Sequence, residues 1–190
     1  MKLIYRTVYM NKLASAMITG IRRCGKSKLL EAFADQIRAS FPTANIIRIN
    51  FNLLEFEPLM QYRALHDYVE KHFVDGCNNV VIIDEVQMCE GFEKAINSLH
   101  ASEKYDIYIT GSNAFLLSND LSTLFTGRTF EVEVFPFSLA EFAQYHEITS
   151  PDEALTRYLR EGGMPGSYLY PDERARFVYI SDVLDTLVLR

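Results

Sequence analysis

The segment from Gly20 to Ser27 constrains this chain more than any other, and it reads Gly-Ile-Arg-Arg-Cys-Gly-Lys-Ser. A short apolar stretch at residues 16–19 precedes it, and apolar residues at helical spacing follow it between Leu29 and Ile37. Between a strand and a helix, this glycine spacing lets backbone N–H groups turn inward, and the helix N-terminus adds partial positive charge. The segment therefore predicts a phosphate-binding loop. A glycine turn with an incidental lysine is the alternative, which the flanking patterns disfavour.

The residues of this loop have expected roles in holding a nucleoside triphosphate. Lys26 is expected to reach the β- and γ-phosphates, and the Ser27 hydroxyl is expected to ligate Mg²⁺. Cys24 lies beside Lys26 and a helix N-terminus, surroundings that favour a thiolate, so we expect maleimide to label it unless ATP protects it. The predicted nucleotide-binding residues are Gly20, Ile21, Arg22, Arg23, Cys24, Gly25, Lys26, Ser27 and Lys28.

The composition is that of an ordinary globular protein. The 190 residues are 48% hydrophobic and 23% charged, which suits one core or a core with a small appendage. The net charge of −6 argues against a broad nucleic-acid surface. No apolar run approaches the roughly 20 residues of a membrane span, and no signal-peptide pattern is present, so we expect a cytoplasmic protein. Cys24, Cys77 and Cys89 lack metal-site spacing, which predicts free thiols.

Strand-like and helix-like segments alternate as far as Pro136. The predicted strands after the first helix are residues 46–49, 80–83, 106–110 and 130–134, and the predicted helices between them are 62–73 and 91–99. The run at 80–83 is continuously apolar, which is typical of a strand buried on both faces. Residues 130–134 alternate strictly, which predicts a strand at the sheet edge. The pattern predicts an α/β fold with a parallel sheet between helices.

Beyond Pro136 the strand pattern ends and the sequence shows repeated signals for the start of a helix. Residues 138–141, Ser-Leu-Ala-Glu, and residues 150–153, Ser-Pro-Asp-Glu, both predict capping boxes, the second with Pro151 at the first helical position. A third helix is predicted from about residue 173 to 189.

We therefore expect two units, a P-loop core at residues 1–136 and a small helical lid at residues 137–190. The last four residues continue an apolar pattern without a stop signal. This predicts that the natural protein continues, unless the last helix docks on the core.

Asp84 and Glu85 directly follow the apolar run at 80–83. Ligands bind at the carboxyl ends of strands in open α/β sheets, so both carboxylates should lie near the phosphate loop. In P-loop proteins the first acid holds Mg²⁺, directly or through water, and the second can polarise the attacking water. Asp84 is therefore the predicted metal residue together with Ser27, and Glu85 is the predicted general base. The start of a solvated loop is the alternative, which the pairing with the phosphate loop disfavours.

Thr110, Ser112 and Asn113 follow the strand at 106–110. In the expected sheet order, this strand lies between the strand before the phosphate loop and the Asp84 strand. A polar side chain there can touch both the γ-phosphate and the attacking water, so Asn113 and Ser112 are candidate sensors with Thr110 behind them. A local cap on the next helix is the alternative, and the two roles can coexist.

Arg128 lies between a helical stretch at 114–125 and the predicted edge strand. A guanidinium there could reach the γ-phosphate of a neighbouring subunit and stabilise transition-state charge. This predicts a homo-oligomer with an arginine finger in trans. A surface ion pair with Glu131 or Glu133 is the alternative.

Together these segments resemble the AAA-14 family of bacterial and archaeal AAA+ ATPases, which carry a following DUF4143 domain. The resemblance covers nearly the whole chain and rests on GIRRCGKS, on VVIIDEVQ with Gln87 after the acids, on YDIYITGSNAFLL, on Gly127-Arg128, on EVEVFPFSLAEF, and on GGMPGS from Gly162. It implies a five-stranded AAA+ core with a helical lid, and ATP and Mg²⁺ as ligands. The roles it implies are metal binding by Ser27 and Asp84, catalysis by Glu85, sensing by Asn113, and an arginine finger at Arg128.

The chain departs from the family pattern in two places. Lys28 stands where the family usually has a small hydroxyl residue. The family's proteins also continue past Arg190 into a domain often compared with winged-helix and nuclease-like modules, so any nucleic-acid role belongs to that part.

ATP hydrolysis that moves the lid is the function these residues favour, because a kinase needs no residue that activates water. A small-molecule kinase is an alternative, since Arg157, Arg160, Arg174 and Arg176 lie in the predicted lid. A nucleotide-gated interaction module with vestigial turnover is a third hypothesis.

Overall fold

A five-stranded parallel sheet organises the computed structural model, which describes residues 15–111 and 129–188. The strands are β1 (Ser15–Thr19), β2 (Asn45–Asn50), β3 (Asn79–Asp84), β4 (Tyr105–Thr110) and β5 (Thr129–Glu133). Their spatial order is β2-β3-β4-β1-β5, and every neighbouring pair is parallel. The predictions that β4 lies between β1 and β3, and that β5 lies at the edge, are confirmed.

Helices cover both faces of the sheet. They are α1 (Lys26–Ser40), α2 (Tyr62–Lys71) and α3 (Phe92–Ala101). Val80 and Ile82 of β3 belong to the core beneath α1, whereas Val81 and Ile83 belong to the core beneath α2 and α3. Successive strand residues point to opposite faces, so a strand between two helical layers needs an apolar side chain at every position.

The loops after β2 and β3 contain two 3₁₀ helices, Leu54–Leu59 and Val86–Met88, which the sequence patterns did not predict. The two loops run side by side at their far ends, where Gln61 forms a parallel bridge with Glu90. The Gln61 side chain also donates from Nε2 to the Glu90 carboxylate at 2.7 Å. The loop that begins with the two acids is therefore tied to its neighbour.

Three helices follow β5 in the described chain. They are α4 (Leu139–His146), α5 (Pro151–Glu161) and α6 (Glu173–Val188). The predicted capping box at Ser138 is complete, with Ser138 and Glu141 bonded to each other's backbone N–H. The predicted capping box at Ser150 is only half formed. The Ser150 hydroxyl accepts from the Glu153 N–H, but the exposed Glu153 carboxylate does not bond to the Ser150 N–H, since water can solvate it.

No helix within residues 15–111 and 129–188 is long and apolar enough to cross a membrane.

A buried carboxylate joins α5 to α6. The Glu161 side chain is 3% exposed, and Arg157, Arg160 and Arg176 approach it at 3.0, 3.7 and 3.8 Å. Burial alone would raise the pKa of Glu161, but the hydrogen bond from Arg157 and the charges of Arg157 and Arg176 lower it below the ordinary value. Arginines of α5 and α6 thus supply the counter-charge for the buried Glu161 carboxylate.

Candidate functional site

The predicted phosphate loop connects β1 to α1 at the carboxyl edge of the sheet. Gly20 has a φ of 140°, and a Cβ there would lie 2.2 Å from the Val134 carbonyl oxygen, so only glycine fits. Gly25 precedes α1 with a φ of 103°, and no atom lies within 4 Å of where its Cβ would stand. The first glycine allows close packing against the residue that follows β5, and the second gives a left-handed turn into the helix.

Lys26 is a buried cation at the start of α1. Its side chain is 7% exposed, and Nζ donates to the carbonyl oxygens of Gly20 at 2.8 Å and Ile21 at 3.1 Å. Within the described residues, no acidic side chain pairs with it. Backbone carbonyls solvate an ammonium group but do not neutralise it, and an uncompensated buried charge is costly. The arrangement therefore favours an anion as the missing partner of Lys26.

The acid pair lies at the end of β3, where β4 positions it. The Thr110 hydroxyl donates to the buried Asp84 carboxylate and accepts from the Glu85 backbone N–H at 3.0 Å. One hydroxyl on the neighbouring strand therefore fixes both acidic residues. Thr110, one of the three sensor candidates, thus contacts both acidic residues.

Glu85 has an unusual backbone and a held side chain. Its φ of 57° and ψ of 50° place it in the left-handed region, which is uncommon for a residue with a side chain and clusters at functional sites. The Gln87 Nε2 donates to the Glu85 Oε2 at 2.5 Å. Sequence reasoning gave Gln87 no chemical role, although its spacing two residues after the acid was visible.

The chemistry of Ser27 and Asp84 fits Mg²⁺. Both offer oxygen atoms, the ligands that this ion prefers, and both lie at the carboxyl edge of the sheet. No group of three or more His, Cys, Asp or Glu side chains suited to a metal occurs in the described part of the chain. Mg²⁺ is commonly held by one or two protein ligands together with phosphate oxygens, so a sparse ligand set suits it.

Lys28 and Cys24 are two loop residues whose side chains are already in contact with the protein. The Lys28 ammonium pairs with the Glu31 carboxylate along the exposed surface of α1, so its side chain is directed along the helix. The prediction that Cys24 is readily labelled is wrong, because its side chain is 0% exposed and packs with Ala16, Ile18 and Val134. Packing against β1 and the chain after β5 removes the thiol from solvent.

Asn113, Ser112 and Arg128 lie outside the described residues. Their expected roles as sensors and arginine finger stay predictions.

The phosphate loop also contacts the helices that follow the sheet, a feature that the sequence did not reveal. Ile21 packs against a small core formed by Met164, Tyr179 and Val183. The Arg23 guanidinium lies over the Tyr179 ring at 5.2 Å from its centre, and Arg23 has a positive φ of 66°. A cavity of about 650 Å³ beside this contact is lined by Arg22, Arg23, Tyr170, Arg174, Tyr179 and Asp182, among others.

The sheet order, the loop before α1 and the acids after β3 define a P-loop domain of the AAA+ class. The model of the AAA_14 family of AAA domains matches residues 14–143, and this chain belongs to that family. It therefore has the ATP-binding P-loop fold of AAA+ proteins.

The chain is also similar to two uncharacterized proteins and, in its fold, to a solved structure. An uncharacterized protein of Haemophilus influenzae is 33% identical over 179 residues, which are 91% of this chain and 44% of that protein. The uncharacterized protein MJ1544 of Methanocaldococcus jannaschii is 28% identical over 187 residues, or 92% of this chain and 41% of that protein. The chain thus spans less than half the length of these relatives. Domain III of the replication initiation protein DnaA from Thermotoga maritima shares the fold, with a TM-score of 0.52 at 15% identity over 92% of this chain and 86% of that one.

Proposed function

We propose that this chain hydrolyses ATP with Mg²⁺ and uses the nucleotide cycle to move the helices that follow its sheet. The buried Lys26 ammonium carries the proposal, because no acidic side chain in the described residues neutralises it. A triphosphate supplies the missing negative charge, and the backbone N–H groups at the start of α1 add to the attraction.

The proposed roles follow from the placement of each side chain. Lys26 exchanges its carbonyl partners for the β- and γ-phosphates, and Ser27 and Asp84 would hold Mg²⁺. Bound Mg²⁺ would neutralise phosphate charge. Thr110 keeps the Asp84 carboxylate in place, and Glu85 accepts a proton from the attacking water.

We also propose that residues 137–190 act as a lid on a core formed by residues 1–136. The contact of Ile21 and Arg23 with Tyr179 supports this role, because it joins the phosphate loop to α6. A loop that rearranges around phosphates would change this contact and so shift α6. The same contact favours a second candidate function, a module in which ATP binding itself is the signal.

The proposal extends to assembly and location. We infer that Arg128 completes the site of a neighbouring copy in a homo-oligomer, with Asn113 as the sensor within each copy. We propose a cytoplasmic location, where ATP is abundant. We assign any nucleic-acid role to regions of the relatives outside the matched part, because the net charge of −6 gives this chain no general attraction for nucleic acid.

The arrangement of arginines counts against a small-molecule kinase. Arg157 and Arg176 pair with the buried Glu161, and the exposed Arg160 lies near Glu161 and Glu173, so all three guanidinium groups already have acidic neighbours in the protein. Arg174 is the remaining arginine of the four, and it lines the cavity beside the phosphate loop.

Phosphate release and ATP affinity, measured on the same preparation, test the proposal. Hydrolysis predicts phosphate release that needs Mg²⁺, saturates with ATP and requires no added acceptor. Tight binding without turnover would favour the nucleotide-gated module. Absence of ATP binding would contradict both.

A further inference from the structure

We propose that Gln87 is a positioning residue for ATP hydrolysis, which holds the Glu85 carboxylate in place for the attacking water. The inference rests on the proposed role of Glu85. Gln87 lies in the 3₁₀ helix that follows the acids, and its Nε2 is 2.5 Å from the Glu85 Oε2.

The orientation of the Gln87 amide follows from its partner. An ionised carboxylate only accepts hydrogen bonds, so the amide must turn its NH₂ group toward Glu85. Its carbonyl oxygen Oε1 then points away, and it is buried without a partner among the described residues. Buried acceptors are normally satisfied, so the amide keeps its donor on Glu85 although its own oxygen is left without a donor.

An attacking water needs an acceptor in a fixed place. Its lone pair can face the γ-phosphorus only if its O–H groups point elsewhere, and the Glu85 carboxylate held by Gln87 can accept one of them. As the new O–P bond forms, the bond to the β–γ bridging oxygen breaks and its electron pair leaves with ADP. One water proton passes to the Glu85 carboxylate, and Gln87 stays neutral throughout.

The backbone also restrains Glu85. Thr110 binds the Glu85 N–H, and the side chain of Val86, the next residue, is fully buried. Glu85 is thus fixed by its backbone on one side and by Gln87 at its carboxylate. Fixed acceptors need no reorganisation at the moment of reaction, which is how enclosed sites gain rate.

The variant Gln87→Met tests the proposal, because it keeps the side-chain length and removes both the donor and the acceptor. We expect kcat to fall about 10- to 100-fold, since a misplaced reacting group costs about that much, while ATP affinity and melting temperature stay near wild type. Gln61→Met is the matched control: it removes a similar amide-to-carboxylate bond, to Glu90, on the neighbouring loop. A control variant that loses the same rate as Gln87→Met would overturn the inference.

A double-mutant cycle separates positioning from an independent effect. Glu85→Asp withdraws the carboxylate from Gln87 by one methylene, so adding Gln87→Met should cost much less than it costs in the wild-type chain. Full additivity of the two losses would overturn the inference.

A measurement without nucleotide checks the contact itself. The side-chain NH₂ signals assigned to Gln87 by their loss in Gln87→Met should shift when Glu85 is replaced by Gln, whereas those of Gln61 should not. Unshifted Gln87 signals would show that the bond does not form and would overturn the proposal.

Failure of this inference is distinguishable from failure of the proposed function. A fully active Gln87→Met beside an inactive Glu85→Gln overturns the role of Gln87 alone. A wild-type chain that releases no phosphate overturns both. A Glu85→Gln variant as fast as wild type overturns the roles of Glu85 and Gln87 and leaves ATP hydrolysis in place.

Discussion

Buried charges are paired differently at the carboxyl edge of the sheet and in α4–α6, the helices that follow β5. Glu161 is buried between α5 and α6 with three arginines around it. Lys26 at the sheet edge is buried with carbonyl oxygens only, and the Asp84 carboxylate receives a hydroxyl with no cation from the described residues. The helices thus neutralise their charge internally, whereas at the carboxyl edge of the sheet the described residues leave one cation and one anion without a counter-charge.

This difference distinguishes a structural ion cluster from a binding site. Internally paired charges stabilise one arrangement and gain nothing from a ligand. Unpaired charges cost stability in the free protein, and this cost falls when phosphate and metal ion bind. The predictions below follow from that contrast, in order of decreasing effect.

Replacement of Glu85 by Gln should reduce turnover by about a thousandfold, because it removes the group that accepts the proton from water. ATP affinity should stay near the wild-type value, since Lys26, Ser27 and Asp84 are unchanged. Phosphate release under saturating ATP and a separate binding titration check the two halves of this expectation. A variant that hydrolyses ATP at the wild-type rate would place the base elsewhere.

Lys26→Ala should abolish stabilisation by ATP. A ligand at a hundredfold excess over its Kd stabilises the folded state by about 2.7 kcal/mol, and the variant should lose this melting shift. Without nucleotide, the variant should be at least as stable as wild type, because the uncompensated charge is gone. Lys28→Ala is the control, since its ammonium pairs with Glu31 at the surface, and it should keep the shift. If ATP raised the melting temperature of Lys26→Ala as much as that of wild type, the phosphate loop would not be the ATP site.

Glu161→Gln should destabilise the free protein by about 2 kcal/mol, because it leaves Arg157 and Arg176 without their acid. Because the pKa of Glu161 is lowered in the folded protein, its ion pairs stabilise the fold at pH values above the ordinary glutamate pKa of about 4.3. This contribution is lost as pH falls through the folded-state pKa. Denaturant unfolding should therefore give a difference between wild type and variant at pH 7 that shrinks toward pH 3.

A suitable control for that measurement is Glu173→Gln, whose exposed carboxylate meets Arg160 at 3.8 Å. Exposed pairs contribute about 0–1 kcal/mol, so this variant should be close to wild type. Equal losses in the two variants would contradict the special role of the buried pair.

The contact between the two regions should have the smallest effect. Arg23→Ala and Tyr179→Leu should show a coupling energy of about 0.5–1 kcal/mol in a double-mutant cycle, as expected for a guanidinium over an aromatic ring. Thermal unfolding with and without ATP measures it. If the phosphate loop moves this contact, the coupling should differ between the two conditions, and an identical value would argue against a link between nucleotide and α6.

Local patterns predicted most of the fold. The strands, the helix after the phosphate loop and the Ser138 capping box depend on residues a few positions apart, and spacing reveals such features. The order of β1, β3 and β4 was also predicted, which placed Thr110 beside the acids. Cys24 was misjudged for the opposite reason: the burial of a loop residue depends on what packs over it, here Val134, which is distant along the chain.

The sequence by itself determined the phosphate loop, the acids at the end of a buried strand and the alternation that builds a parallel sheet, because each depends on short-range spacing. Only the tertiary structure decided that Thr110 holds both acids, that Lys26 lacks a counter-charge in the described chain, and that Ile21 and Arg23 reach Tyr179. Those contacts join residues far apart along the chain. Their formation depends on strand pairing and helix packing, which bring together charges and hydrogen-bonding groups that no local pattern connects.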